Sequence, residues 1–247
     1  MSGKRIAAAI AIALVPATLP AREDPRGWRA VATSDDRRRL RGWRDAWMAA
    51  LPAARAGGGA ATIGADPALF DPDRALRDAM PPAGSYRCRT FKLGAQGAGG
   101  LAFVAYDPFR CRVGEDRRFT KIDGSQRPVG QLYPDTTGRA VFLGTLAIGE
   151  ERKAMRYGRD RQRDMVGAVE RIGAARWRLV LPYPRFESLL DVIELVPERV
   201  GTTGGGTTAS RGATAGAGRG GNPAKYSSPS SATRVTRPVF AAATASR

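Results

Sequence analysis

Between Ser34 and Ala54 the apolar residues Leu40, Trp43, Trp47, Leu51 and Ala54 recur at spacings of 3, 4, 4 and 3. That rhythm places them on one stripe of an α-helix. Ser34 reads as the N-cap, and Asp35 and Asp36 suit the positive end of the helix dipole. The helix is expected over 34–51, with Pro52 ending or kinking it. Two Trp on one stripe can stack sugars, but apolar stripes mostly pack into cores, so the expected role of Trp43 and Trp47 is packing on a sheet, with Trp28 beside them.

Residues 57–84, rich in Gly, Ala and Pro, read as a connector, with a helical turn or two starting at Asp71-Pro72. From Tyr86 the period changes to two, in short runs punctuated by Gly, Pro and Asp. Strands are predicted near 86–93, 101–106, 109–113, 118–122, 129–133, 139–147, 165–172, 176–181 and 189–196. The last is ambiguous: Phe186, Leu189, Leu190 and Ile193 fit a helix, whereas Val192 to Val196 fits a strand, and the β-branched content favours the strand. The expected fold is mainly β, an antiparallel β-barrel or sandwich of about 7–9 short strands with an N-terminal amphipathic helix and one disulfide.

The two ends differ from this middle. Lys4 and Arg5 precede ten unbroken apolar residues, Ile6 to Val15, and small residues follow at Ala17 and Ala21. This is the pattern of an export signal, expected over 1–21; the apolar run is about half the ~20 residues of a spanning helix, so no transmembrane segment is expected after cleavage. Residues 22–197 are expected to form a single globular domain, β-rich over 86–197. From 198 to 247, 33 of 50 residues are Gly, Ala, Thr or Ser, too few apolar groups to offset the entropy of ordering, so a disordered low-complexity tail is expected.

Composition then removes function classes. The 247 residues contain no His, which excludes a Ser-His-Asp triad, a Cys-His dyad and a His-ligated zinc or haem. The net charge is +17, but +3 falls in residues 1–22 and +6 in 198–247, leaving +8 on the domain. With over half the charge outside the domain and an export signal ahead of it, nucleic acid is not an expected partner.

Cys88 and Cys111 are the only cysteines, and each sits in an aromatic-Arg-Cys-Arg run. In an exported chain they are expected to pair as a structural disulfide; two ligands without His make no metal site, and no cofactor is expected. Strand alternation puts Tyr86, Cys88, Phe109 and Cys111 on one face and Arg87, Arg89, Arg110 and Arg112 on the other. The four arginines then share a patch, either solvated with Asp107, Glu115 or Asp116 folding back, or serving as an anion-binding site.

Without His, acid–base chemistry would fall to carboxylates. The candidates are Glu187, Asp191 and Glu194 near the last strand and Asp160 and Asp164 in the Arg-rich loop. Ser125 with Lys121 is a possible dyad, but Asp123-Gly124-Ser125 reads first as a turn. The glycine-rich run 94–100 lacks a phosphate-loop ending and reads as a hairpin connection.

Several runs are distinctive: Trp28-Arg-Ala-Val-Ala-Thr33, Trp43-Arg-Asp-Ala-Trp47, the two Arg-Cys-Arg runs, Phe119-Thr-Lys-Ile-Asp-Gly-Ser-Gln-Arg-Pro128, Phe142-Leu-Gly-Thr-Leu146, Tyr157-Gly-Arg-Asp160, Trp177-Arg-Leu-Val-Leu-Pro182 and Leu190-Asp-Val-Ile-Glu-Leu-Val-Pro197. Together, over about 27–197, the chain resembles the exported alphaproteobacterial family called domain of unknown function 4893. That family has no established activity, so the resemblance implies no catalytic residues. The expected function is that of a periplasmic or secreted, non-catalytic binding or interaction module. Its expected partner is an anionic small molecule or an envelope polymer. The alternative is a His-independent hydrolase of envelope saccharides or peptides acting through Asp and Glu.

Overall fold

A computed structural model describes residues 27–198. The expected export signal (1–21) lies outside the described residues, as does the expected tail apart from Glu198.

Each predicted strand is present: β1 (Gly84–Ala95), β2 (Phe103–Ala105), β3 (Phe109–Val113), β4 (Arg118–Lys121), β5 (Gln126–Thr136), β6 (Arg139–Ile148), β7 (Asp164–Gly173), β8 (Arg176–Pro182) and β9 (Ser188–Pro197). All pairings are antiparallel, and β3 to β9 follow one another in chain order. β1 closes the ring. One edge pairs with β9 from Tyr86 to Ala95; the other takes β3 along Gly84–Cys88 and the short β2 along Phe91–Leu93. The result is a closed eight-stranded barrel with one added strand, β2, which alone among the described strands retains a free edge.

Alternation sorts the side chains. Tyr86 and Cys88 of β1, Cys111 and Val113 of β3, Phe119, Leu132, Phe142, Trp177, Leu179, Ile193 and Leu195 point inward and form one buried cluster. Edge-to-face ring pairs, Tyr86 with Trp177 and Phe119 with Phe142, knit it together. Gly130 and Gly144 face each other across β5 and β6; a Cβ on Gly144 would lie 2.4 Å from the Phe142 ring, so only glycine there lets that ring lie across the interior. Ala79 and Met80, from the connector, cap this cluster at the end of the barrel where β1 enters.

The helices wrap the outside. These are α1 (Trp28–Val31), α2 (Ser34–Arg41), α3 (Trp43–Ala54), a π-turn over Arg55–Gly59, α4 (Ala60–Ala65) and α5 (Pro67–Phe70). Trp47, Ala50, Leu51 and Ala54 of α3 cover the outward Phe91, Leu93, Val180, Leu190 and Val192, which makes core packing the role of that stripe. Trp28 and Leu40 instead cover Val141, Leu143, Val166 and Ala168 in a separate cluster.

Three local expectations are corrected. The single helix over 34–51 is two helices broken at Gly42, and the cap is Thr33, whose Oγ1 accepts from the Asp36 N–H at 3.1 Å. Pro52 does not end α3: it is exposed, and the carbonyl it leaves without a donor belongs to Met48 on the wet side of the helix, while buried Leu51 and Ala54 hold the next turn to the barrel. The break comes later, where Gly58 adopts φ +94°. The connector helix starts at Asp66-Pro67, one Asp-Pro pair earlier than expected, because Asp66 caps it through the Leu69 N–H.

Candidate functional site

The barrel has two unlike ends. Its lower half is filled by the aromatic cluster and the disulfide, with Cα atoms of Cys88 and Cys111 6.1 Å apart on a diagonal of the β1–β3 register. The upper half holds a cavity of about 320 Å³. Its floor is apolar: Leu146, Met165, Leu181 and Ile193. Loops that join β4 to β5, β6 to β7 and β8 to β9 form the mouth through Ser125, Gln162, Arg163, Pro184 and Phe186, with Tyr106 from the β2–β3 connection.

Polar groups project into this upper half from the strands themselves. Lys92 on β1 stands directly opposite Asp191 on β9. Its Nζ lies 3.2 Å from Asp191 Oδ2 and 3.2 Å from Glu187 Oε2, and Ser188 Oγ–H also donates to Asp191. Burial works against the Lys92 ammonium, but Asp191 and Glu187 outweigh it and hold its pKa above the ordinary value. Glu187 reaches this position from a left-handed backbone, φ +72°. The loop that carries it is tied to the β1–β2 hairpin through Gln96, whose backbone N–H donates to the Glu187 carbonyl and whose side chain donates to the Ser188 carbonyl.

The second inward lysine is different. Lys121, at the end of β4, extends over the Phe109 ring at 4.1 Å and has no carboxylate within ion-pair distance among the described residues. Burial, then the neighbouring Lys92 and Arg127 charges, push its pKa below the ordinary value. Every arginine on the cavity wall is already paired: Arg39 with Asp36, Arg163 with Glu151 and Asp160, Arg185 with Asp35. The cavity thus combines an apolar floor, one neutralised lysine and one lysine without a counter-charge.

The residues singled out from sequence fall on both sides of the wall. Glu187 and Asp191 meet at Lys92, whereas Glu194 lies on the outer face in an ion pair with Arg176. Asp164 borders the cavity, while Asp160 pairs with Arg163 at its rim. Ser125 and Lys121 both line the cavity, and Asp123 to Ser125 form the expected turn, with Gly124 at φ +89°.

Arg87, Arg89, Arg110 and Arg112 lie on the outer face, as the alternation requires, and line no part of the cavity. Arg87 and Arg110 face each other across β1 and β3. The compensating carboxylate is Asp123, 3.2 Å from Arg110, and not the Asp107, Glu115 or Asp116 expected from sequence. Arg89 donates to the Tyr106 carbonyl and stacks on Phe91.

Lys92 escaped the sequence reading. One signal was present: only five of the 40 Lys and Arg residues are lysines, so each lysine is an exception in an arginine-rich chain.

Among protein-family models, the one described as Domain of unknown function (DUF4893) matches residues 28–195. No curated protein matches the chain, and no solved structure does.

Proposed function

We propose that this chain, which belongs to the DUF4893 family, is a small-ligand-binding barrel. Its ligand is an apolar molecule ending in a head group with acceptor oxygens, a carboxylate or a carbonyl. One observation carries this: a half-buried Lys121 ammonium without a carboxylate, above an apolar floor, in a mouth where the other cations are paired. An eight-stranded barrel is wide enough either to be filled by side chains or to hold one small ligand, and here one half does each. The reading includes export to the periplasm or beyond, supported by the residue pattern of 1–21 and by a disulfide that persists in an oxidising compartment.

Binding without catalysis fits the carboxylates better than hydrolysis does. Glu187 and Asp191 are both committed to Lys92, Glu194 is on the wrong side of the wall and Asp160 is paired with Arg163, which leaves Asp164 alone where paired-carboxylate hydrolysis needs two. The test is a fluorescence titration with 1-anilinonaphthalene-8-sulfonate, an apolar anion. Wild type is expected to bind one equivalent, and Leu146→Trp, whose indole intrudes on the cavity floor, to bind at least about tenfold more weakly with an unchanged unfolding midpoint. Arg87→Ala with Arg110→Ala should leave the titration unchanged, because both residues lie outside the barrel. Unaltered binding by Leu146→Trp would remove the cavity as the site.

A further inference from the structure

Two lysines in one cavity have opposite surroundings. Lys92 is clamped between Asp191 and Glu187 and stays a cation. Lys121 has the Phe109 ring beneath it, Lys92 and Arg127 as neighbouring charges, and no carboxylate partner among the described residues; Asp123, the one acidic group that acts on it, is bound to Arg110. When environments drive two like groups apart, they are suited to different tasks.

Composition sharpens the point. The lysines are Lys4, Lys92, Lys121, Lys153 and Lys225, and two of the three within the described residues line this cavity. For a permanent cation that grips a carboxylate, arginine is the better side chain, and apart from Lys92 every ion pair among the described residues uses it. What lysine offers and arginine does not is a nitrogen that sheds its proton and attacks carbon.

We propose that Lys121 holds its ligand covalently, as an imine formed with the carbonyl carbon of an apolar aldehyde seated on the cavity floor. This rests on the ligand-binding reading and narrows the head group to a carbonyl. The neutral Nζ adds to the carbonyl carbon, giving a carbinolamine. The carbonyl oxygen then leaves as water, taking both nitrogen hydrogens in net balance, and a C=N bond remains. No electrons are exchanged, and addition of water reverses the step and frees the ligand. Burial and the two neighbouring cations favour the neutral amine that the attack needs.

The experiment treats the full chain with 2-naphthaldehyde and sodium cyanoborohydride at pH 7, then locates the fixed naphthylmethyl groups by intact mass and peptide mapping. The expected result is one rapid adduct on Lys121, about tenfold faster than on Lys153, which is exposed and reports ordinary lysine reactivity in the same sample. Lys121→Arg should lose the rapid adduct, and the internal comparison with Lys153 stands even if that variant does not fold. The sulfonate titration runs in parallel. If the sulfonate binds while Lys121 labels no faster than Lys153, or Lys92 labels first, the imine is wrong and the cavity reading survives. If the sulfonate does not bind wild type either, both fall.

Discussion

Asp164 has one satisfied oxygen and one stranded. Its Oδ1 accepts from the Gly158 N–H at 2.8 Å, whereas Oδ2 is buried without a partner. Directly across the β6–β7 ladder, Thr145 Oγ1 is buried and unpartnered as well. Burial raises the Asp164 pKa, and Asp36 adds to the effect. A carboxyl whose folded-state pKa is raised stabilises the fold below its unfolded value near about 4 and loses that contribution as pH climbs through the folded value. Asp164→Asn keeps an acceptor for Gly158 and gains a donor for Thr145. It is expected to be more stable than wild type by about 1 kcal/mol at pH 7.5, with the gap closing towards pH 4. Urea unfolding at the two pH values checks this, and a variant weaker than wild type at pH 7.5 would show that the charged form is well solvated after all.

At the scale of elements, one arginine joins the helical wrap to the barrel. Arg178 on β8 points outward beneath the helices and is fully buried. It donates to Glu170 on β7, to the Leu69 carbonyl within α5 and to the Asp71 and Arg74 carbonyls just after it, and lies over the Trp47 ring. Arg178→Met keeps the volume but removes those donors, leaving Glu170 with Arg139 alone. Breaking a buried pair on one side costs about 3–5 kcal/mol, so urea unfolding should show a loss of that size. A loss under about 1 kcal/mol would mean that Arg139 and relaxation compensate.

The same scale shows what a sequence can and cannot display. Strands were readable because the apolar runs are short, alternating in β3 and nearly continuous in β6 to β9 where helices bury the outer face too, and the turns between them carry Gly, Asp and Pro. Helix ends were less so: Thr33 and Ser34 are both good caps, and the one used, Thr33, is also held by a tertiary bond from its N–H to the Tyr157 hydroxyl, 124 residues away. Pro52 looked terminal because its cost is local while the burial that offsets it is tertiary. The cavity was hidden for a further reason. Lys92 and Asp191 are 99 residues apart and meet only through the β1–β9 closure, which alternation alone does not specify.

For the molecule as a whole, the seams of the barrel are not equally strong. β5–β6, β6–β7, β8–β9 and β1–β9 are long ladders, and helices cover the outer faces of β1, β7, β8 and β9. β3 pairs with β4 through three residues, β4 with β5 through three, and their outer arginines Arg110, Arg112 and Arg118 are exposed. The disulfide crosses from β1 to β3 at this thin wall, and Lys121 stands opposite Cys111 in the same register. The bridge therefore fixes the wall that carries the reactive lysine. Replacing both cysteines with alanine should cost about 3 kcal/mol, the loop-closure value for a separation of 23 residues. The loss should also be local. Amide exchange is expected to rise across residues 109–121 and to stay slow in β6 to β8, and the sulfonate probe should bind more weakly as the mouth loosens. Uniformly faster exchange would mean that the barrel opens only as a unit, and that the bridge restrains the unfolded chain without shaping the site.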